Sequence, residues 1–284
     1  DLYGRIRYVD ENGTSAQLSR SAGFDRIEGE ILSALGVSSV SAGMDLSGSA
    51  LTTGDVKYRI NQFAALGILA KLYLNAEVYT GTARWQEAHD AADYIISNGS
   101  YRLSDSSVSV PNPSKRPAVS SDAESLTGYA AVFSPANYDN PEIIWSVEYD
   151  EATAGGMNFH QMSLHYASQF TYLFQDQPWN GYSALEEFYN SYEDGDARKE
   201  ANFIIGAQTD FGGSVVVDLA SDSNDPAINY SASINELEPN AGRTDGARLG
   251  KFSFKNFARP DLDNDYPIVR LGDVYLMRAE AKAR

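Results

Sequence analysis

The chain has 284 residues, 43% of them hydrophobic and 12% aromatic, a composition typical of globular proteins. A formal net charge of −17 argues against binding to nucleic acids or anionic lipids, because both need clustered Lys and Arg. The lack of cysteine excludes disulfides, thiolate metal sites and cysteine nucleophiles, and no apolar run approaches the roughly 18 residues of a transmembrane helix.

Helices dominate the prediction for the first hundred residues. Residues 21–35 carry apolar side chains at helical spacing, and Gly36 is expected to end that helix. Residues 55–79 are apolar almost all round, which predicts a helix buried among others, with Asp55 as its N-terminal cap. Residues 84–97 predict a second helix, and alanines along the contact line favour a helical hairpin of tetratricopeptide type.

The middle of the chain predicts long loops and short strands. Residues 101–128 are rich in serine and contain three prolines, which predicts a surface loop. Residues 143–149 alternate apolar and other side chains, as a strand does. The β-branched runs at residues 202–206 and 214–219 are joined through Gly212-Gly213, which predicts a hairpin.

The C-terminal part ends in a predicted helix. An extended segment at residues 249–257 and an acidic loop at residues 261–265 precede it. The helix is predicted over residues 266–284, with Pro267 in its first turn, where a missing N–H costs nothing. Two faces of this helix are expected to be packed, the first formed by Leu271, Val274, Met277 and Ala281, the second by Gly272, Leu276, Ala279 and Ala283. Since no Gly or Pro ends the helix, we expect the chain to be a piece of a longer protein.

The usual chemistry of catalytic and metal sites is missing from the sequence. His160 and His165 are five residues apart, which does not place both on one face of a helix, and no HExxH motif, nucleophile elbow or phosphate loop occurs. Asp261, Asp263 and Asp265 alternate as in a calcium loop, but the Gly and Glu that such a loop needs are absent. We therefore predict no catalytic residue, no metal site and no cofactor.

Aromatic and amide side chains are concentrated between residues 157 and 182. A pyranose ring presents an apolar face, which Trp or Tyr can cover, and a rim of hydroxyls, to which Asn and Gln can hydrogen-bond. The predicted glycan-binding residues in this loop-like segment are Tyr172, Gln177, Trp179, Asn180 and Tyr182. The competing hypothesis is that these aromatic residues anchor the loop on the core.

Two helical segments carry a resemblance to a known family. The C-terminal one is similar to the RxxDVxLMxAEA helix of the SusD/RagB family, through Arg270, Asp273, Val274, Leu276, Met277, Ala279, Glu280 and Ala281. The predicted hairpin resembles the family's helical pair, through Ala70, Lys71, Tyr73, Leu74, Trp85, Ala88, Ala92, Asp93 and Ile96. A short helix at residues 184–192 leads to Asp196 and Arg198, which resemble the family's DxR turn, with a structural role favoured for that pair.

The resemblance implies a mainly α SusD-like fold, with tetratricopeptide-type hairpins, long loops and a few short strands. It implies one SusD-like domain over residues 1–284, lacking the lipid-bearing N-terminal region and a C-terminal part. Members are outer-membrane, cell-surface lipoproteins of Bacteroidetes that bind glycans without catalysis and deliver them to a SusC-like TonB-dependent transporter. The expected partners are thus a glycan and that transporter, with membrane contact only through an N-terminal lipid anchor preceding this chain.

Three alternatives to glycan binding remain at this point. The helical hairpin is also compatible with a tetratricopeptide-type scaffold that binds proteins, although the strands and the aromatic loop oppose it. Divergent family members bind peptides. A glycoside hydrolase would need two facing carboxylates in a cleft, and no pair is singled out among the 39 acidic residues.

Overall fold

The computed structural model describes residues 5–13, 15–54, 57–105, 108–110, 124–221, 226–236 and 241–284. The strands are β1 (Arg5–Val9), β2 (Ser15–Ser19), β3 (Val108–Val110), β4 (Glu124–Leu126), β5 (Ile143–Val147), β6 (Phe203–Ile204), β7 (Gly206–Ala207), β8 (Asn229–Tyr230), β9 (Arg248–Leu249) and β10 (Tyr266–Arg270). The helices are α1 (Arg20–Leu35), α2 (Gln62–Leu74), α3 (Ala76–Thr80), α4 (Trp85–Asn98), α5 (Gly128–Val132), α6 (Phe159–Ser163), α7 (Ser168–Tyr172), α8 (Glu186–Asn190), α9 (Ala197–Asn202) and α10 (Leu271–Ala283). The predicted mainly α class with a few short strands is confirmed, and none of the described helices is long and apolar enough to span a membrane.

The chain forms two compact units. The first contains Asp1–Leu103, Pro141–Ser146 and Pro267–Arg284, and the second contains Ser104–Asn140 and Val147–Tyr266. In the first unit, α4 packs against both α2 and α10, and α1 packs against α2 and α3. The predicted pairing of two helices is confirmed, and α10 is the third helix of this layer.

The core of the first unit forms around α2. Nine of its thirteen residues are buried, as expected for a helix that is apolar all round. Gly67 provides room for β10, since a Cβ at this position would lie 2.5 Å from Cγ1 of Val269. The helix begins later than predicted, because Asn61 is its N-cap and accepts a hydrogen bond from the N–H of Ala64 at 2.8 Å. The predicted cap, Asp55, lies outside the described residues.

The C-terminal segment differs from its prediction at the start of the helix and on its second face. Tyr266–Arg270, including Pro267, is a strand that pairs with β5, and the helix begins only at Leu271. Leu271, Val274, Met277 and Ala281 are buried as predicted, whereas the second face is not packed, with Leu276 65% exposed. The prediction of packing on two sides was therefore wrong for the described part of the chain. The spacing of apolar residues within this segment could not show that β5 would pair with the residues around Pro267.

Arg270 stabilises the junction of β10 and α10. Its guanidinium contacts Glu142 Oε1 at 2.8 Å and Asp273 Oδ1 at 2.9 Å. The N–H of Leu271 donates to the carbonyl oxygen of Glu142 at 2.9 Å, and the Glu142 side chain is 7% exposed. Arg270 and Asp273, the Arg and the Asp of the RxxD motif, thus stabilise the start of α10.

A hairpin that was not predicted precedes α1. β1 and β2 pair antiparallel, with Ile6 opposite Leu18 and Tyr8 opposite Ala16. These four residues alternate mainly with polar ones, but the pattern spans only five residues in each strand and most of the side chains are exposed. By contrast, α1 follows its prediction, and Gly36 ends it with a left-handed φ of 72°.

The second unit consists of short helices and pairs of strands of two or three residues. β6 pairs with β9, and β7 pairs with β8, both antiparallel. The predicted hairpin is corrected, because residues 203–207 pair with distant segments. Only a short antiparallel part is found around Gly212-Gly213, where Thr209 bridges to Val215 and the N–H of Asp210 donates to Ser214. Of the extended segment predicted at residues 249–257, only Leu249 lies in a strand, at the end of β9. Much of the loop predicted at residues 101–128 lies outside the described residues.

Candidate functional site

The segment at residues 174–182, called the aromatic loop below, is held on α6 by backbone hydrogen bonds. The N–H of Trp179 donates to the carbonyl oxygen of Gln161 at 2.7 Å, and that of Asn180 donates to Leu164 at 2.9 Å. Gly181 and Tyr182 both donate to the carbonyl oxygen of Met162, at 2.8 and 3.2 Å. Helices leave their last carbonyl groups without internal partners, and the loop satisfies these acceptors at the end of α6.

The loop exposes two of the predicted aromatic residues. Trp179 is 54% exposed and Tyr182 is 37% exposed. Within the described residues, neither ring takes part in a ring–ring or cation–π contact of the protein. Gln177 is exposed, and Asn180 is half-buried with Oδ1 lacking a hydrogen-bond partner. The structure therefore places four predicted residues on one short surface segment.

Tyr172 is the exception among the predicted residues. It is fully buried, with its ring centroid 5.2 Å from that of Phe174 and 4.9 Å from that of Phe254. A side chain without exposed surface cannot stack on a sugar ring. Tyr172 is therefore removed from the candidate site, and for this residue the hypothesis of core packing describes the structure.

Left-handed backbone conformations are concentrated near the loop. In the described chain, positive φ at residues other than glycine occurs at Leu173 (53°), Asn180 (53°) and Phe257 (62°). Leu173 and Asn180 flank the loop residues 174–179. Phe257 precedes Ala258, whose carbonyl oxygen accepts a hydrogen bond from the N–H of the loop residue Gln175 at 3.1 Å. For bulky residues such as Leu and Phe this conformation is strained, and strain of this kind clusters at functional sites.

A cavity of about 190 Å³ lies beside the loop. Gln177 is one of its lining residues, with Phe170, Tyr166, Leu219, His165 and Asp218 among the others. Phe170 is 51% exposed and Leu219 is 71% exposed, whereas His165 and Asp218 are buried. The cavity thus combines an apolar rim with polar groups at its base, which is the usual make-up of a small-molecule site.

Hydrogen bonding fixes the tautomer of His165 at the base of the cavity. Its Nδ1 accepts from the N–H of Ala167 at 3.1 Å, so a neutral ring carries its proton on Nε2. Nε2 is 3.5 Å from Asp218 Oδ2, which is longer than a usual hydrogen bond, and it contacts no other acceptor in the described part of the chain. Burial lowers the pKa of His165, and the nearby carboxylate only partly opposes this effect. His165 is therefore a neutral donor at neutral pH.

The carboxylate of Asp218 is engaged by the protein itself. Arg243 Nε donates to Oδ2 at 2.6 Å, and the N–H of Ala220 donates to Oδ1 at 3.0 Å. Burial alone would raise the pKa of Asp218, but these hydrogen bonds outweigh it and hold the pKa below its usual value. Asp218 stays ionised and is not suited to donate a proton to a leaving group.

The other singled-out residues have structural roles or lie apart. Asp196 is the N-cap of α9, accepting from the N–H of Arg198, whose guanidinium contacts the same carboxylate at 2.6 Å. This geometry supports the structural interpretation of the DxR turn. His160 is buried and contacts the carbonyl oxygen of Arg259 at 3.2 Å, and no group of three potential metal ligands occurs among the described residues.

Sequence reasoning missed a larger groove in the second unit. Its volume is about 540 Å³, and its lining includes Tyr189, Lys199, Phe203, Ile204, Ile205 and Gln208. These residues come from α8, α9 and the strands β6 and β7 with the residues that follow them. No sequence motif connects them, because the groove depends on the pairing of β6 with β9 and of β7 with β8, which lie more than twenty residues further along the chain.

Comparisons with known proteins identify the family. The family model described as "SusD family" matches residues 118–284, while no curated protein sequence matches the chain. Among solved structures, B. fragilis NanU is similar with a TM-score of 0.61 and 18% identity, over 97% of this chain and 49% of that one. Surface glycan-binding protein A from Bacteroides thetaiotaomicron, in complex with laminarihexaose, is similar with a TM-score of 0.60 and 15% identity, over 99% and 53% of the two chains.

A third structure, containing a xylogluco-oligosaccharide, has a TM-score of 0.58 and 18% identity, over 98% of this chain and 49% of that one. The chain thus spans about half the length of these structures. At such identities the structural similarity shows the fold, and the family model shows membership over more than half of the sequence. The chain belongs to the SusD family, as its two helical motifs predicted.

Proposed function

We propose that this protein binds glycans at the cell surface without catalysis and delivers them to a SusC-like TonB-dependent transporter. The observation that carries the proposal is the exposed indole of Trp179 on a loop held by four backbone hydrogen bonds. Little conformational freedom of the backbone is left to lose when a ligand binds there. Two structures with the same fold contain glycans, laminarihexaose in one and a xylogluco-oligosaccharide in the other, which supports this ligand class.

In the proposed site, a pyranose ring stacks on Trp179. Tyr182, Asn180 and Gln177 then lie within the same segment to contact hydroxyl groups. A neighbouring sugar unit extends towards the cavity, where the Nε2–H of His165 is a donor without a protein partner. Neutral glycans suit a chain with a net charge of −17 better than anionic ones do.

We also propose that the site performs no hydrolysis. Glycosidases use two carboxyl groups, one of them a proton donor with a raised pKa. Among the described residues lining the cavity, Asp218 is the one carboxylate, and its pKa is lowered. Because Arg243 and the N–H of Ala220 already donate hydrogen bonds to the Asp218 carboxylate, we expect Asp218 to orient neighbouring side chains and not to transfer a proton.

Location and partners rest on family membership. We propose an outer-membrane, cell-surface protein, anchored by an N-terminal lipid and associated with the transporter, and a single SusD-like domain that includes both units. The paired helices of the first unit are the specific feature that favours the alternative, a protein-binding or peptide-binding scaffold. A ligand that engages those helices and leaves Trp179 untouched would favour the alternative.

Isothermal titration of the complete protein tests the proposal. The probes are soluble neutral oligosaccharides, including laminarihexaose and a xylogluco-oligosaccharide, and the key variant is Trp179→Ala. The matched control is Tyr138→Ala, which removes a comparably exposed aromatic side chain (58% against 54%) elsewhere in the second unit. We expect saturable binding that Trp179→Ala weakens at least about tenfold and Tyr138→Ala leaves unchanged. Binding that survives Trp179→Ala intact would move the site away from the aromatic loop.

A further inference from the structure

The 540 Å³ groove, called the Gln208 groove below, has the size of a ligand site. Typical small-molecule sites have volumes of about 300–1,000 Å³, and the groove falls within this range. It shares no lining residue with the 190 Å³ cavity beside the aromatic loop. It also contains neither Trp179 nor Tyr182, so the proposed glycan site makes no use of it.

Gln208 is a buried amide with one unused acceptor. It is 4% exposed, and its Nε2 donates to the carbonyl oxygen of Gly206 at 3.0 Å, which fixes the orientation of the amide. Its backbone is held on both sides, since its N–H donates to Ile228 at 2.8 Å and its carbonyl oxygen accepts from Val216 at 3.4 Å. Oε1 has no hydrogen-bond partner among the residues that the structure describes. A buried acceptor left unpaired is costly, and a ligand hydroxyl would satisfy it.

The other lining residues combine apolar and charged groups. Phe203 and Tyr189 pack edge to face at 5.4 Å, and Ile205 is 43% exposed beside them. Lys199 Nζ is 4.6 Å from the centre of the Tyr189 ring and donates to the carbonyl oxygen of Tyr192 at 3.3 Å, so it is held in place. Aliphatic and aromatic surface next to a fixed ammonium and an unpaired amide oxygen is suited to a polyhydroxylated ring.

The charges of the groove favour a neutral ligand. Two carboxylates, Asp196 and Glu200, and one ammonium, Lys199, contribute to the lining. Because Arg198 pairs with Asp196 at 2.6 Å, these charges nearly balance and give an ionic ligand no net attraction, whereas hydroxyl groups can donate to carboxylates and accept from the ammonium.

We propose that the Gln208 groove is a second carbohydrate-binding site, which takes a neutral oligosaccharide unit independently of Trp179. The inference rests on the proposed function in its ligand class, but it concerns different residues. A hydroxyl of the bound sugar donates to Gln208 Oε1, while its apolar face lies against Ile204 and Ile205. Two sites on one chain make binding to a long glycan bivalent, so a polysaccharide binds more tightly than either site alone predicts.

Variants that block the groove test this second site in the complete protein. Ile205→Trp fills the groove from an exposed position, and Gln208→Met removes the acceptor at nearly constant volume. The matched control is Val215→Trp, which adds the same bulk at a 66% exposed aliphatic residue outside the groove. Each substitution is made alone and together with Trp179→Ala. Isothermal titration with laminarihexaose and with a xylogluco-oligosaccharide gives stoichiometry and affinity.

We expect Trp179→Ala to retain residual oligosaccharide binding through the second site. Adding Ile205→Trp should abolish this residual binding, and adding Gln208→Met should weaken it about tenfold, whereas adding Val215→Trp should leave it unchanged. A stoichiometry of one that Trp179→Ala abolishes and the groove variants leave intact would overturn the second site and keep the first. No binding of either probe to the unmodified protein would contradict both proposals. Residual binding that Val215→Trp also removes would contradict a site specific to the groove.

Discussion

The N–H of Gly181 donates a 2.8 Å hydrogen bond to the carbonyl oxygen of Met162, and a Cβ on Gly181 would lie 2.8 Å from that same oxygen. This contact requires a residue without a side chain. It fixes the height of the aromatic loop above α6 and therefore the position of Trp179, two residues earlier. The placement of Trp179 in the proposed site therefore depends on this close approach.

Replacement of Gly181 by alanine is expected to move the loop without unfolding the protein. The new Cβ clashes with the Met162 carbonyl oxygen, so the hydrogen bonds of Gly181 and Tyr182 to that oxygen must lengthen. We expect glycan affinity to fall about tenfold, because the aromatic residues lose their fixed placement. Titration calorimetry of folded Gly181→Ala measures the loss.

The control is Gly29→Ala on α1, where no atom lies within 4 Å of the added Cβ. Alanine within a helix is expected to raise the free energy of unfolding by roughly 0.5–1 kcal/mol, and glycan affinity should not change. Unaltered binding by Gly181→Ala would show that the loop contact does not position the ligand.

Two N-terminal helix caps are expected to differ in their contribution to stability. Asn61 is buried and accepts from Ala64, and its Nδ2 also donates to Tyr101 Oη at 3.2 Å. Ser19 is exposed and accepts only from Ala22 among its described side-chain bonds, at 3.2 Å. Asn61→Ala should cost about 2–3 kcal/mol, since it removes the cap and leaves a buried donor group unpaired, whereas Ser19→Ala should cost about 0.5–1 kcal/mol. Urea denaturation of both variants checks the order, and equal losses would contradict the assignment of Asn61 as cap of a buried helix.

His160 should make stability depend on pH in mildly acidic solution. Burial lowers its pKa to about 4, although the hydrogen bond to Arg259 opposes the shift. Between an unfolded-state pKa near 6.5 and this folded-state value, the unfolded chain binds the proton and the folded chain does not. Stability should therefore be at its full level above pH 6.5 and fall as the pH decreases from 6.5 towards 4, by up to about 3 kcal/mol from this group.

Urea denaturation at pH 7 and pH 5 measures this dependence in the unmodified protein and in His160→Phe. Phenylalanine suits the position because His160 packs against the rings of Phe174 and Phe254, at 5.0 and 5.6 Å. The variant should lose less stability than the unmodified protein between the two pH values. Since His165 is also buried with a lowered pKa, some dependence should remain. An unchanged difference would exclude His160 as a source.

Local periodicity predicted the helices of the first unit well, for a physical reason. In α1, α4 and α10 the buried residues recur at the helical period, and α2 is apolar on all sides because helices and strands surround it. Each of these features is present within one segment of sequence. The two family motifs lie on the same helices, so the family was predictable for the same reason.

The incorrect predictions concern segments whose structure depends on contacts with residues distant in sequence. Pro267 fits the first turn of a helix and also a strand, and only its pairing with β5, more than a hundred residues earlier, decides for the strand. Tyr172 and Trp179 are both aromatic residues in one segment. Phe254 buries the first, and the loop bonds to α6 expose the second. The Gln208 groove likewise depends on the pairing of β6 with β9 and of β7 with β8.

Stacking of a sugar on Trp179 is tested most directly by the indole N–H resonances of the protein labelled at tryptophan with ¹⁵N. Trp179→Ala assigns the Trp179 signal, and the other indole signals, those of Trp85 and Trp145 among them, serve as internal references. On titration with the oligosaccharide that gives the strongest calorimetric signal, we expect a saturable shift of the Trp179 resonance, with those of Trp85 and Trp145 unmoved. Saturable binding that leaves the Trp179 resonance in place would contradict the proposed site.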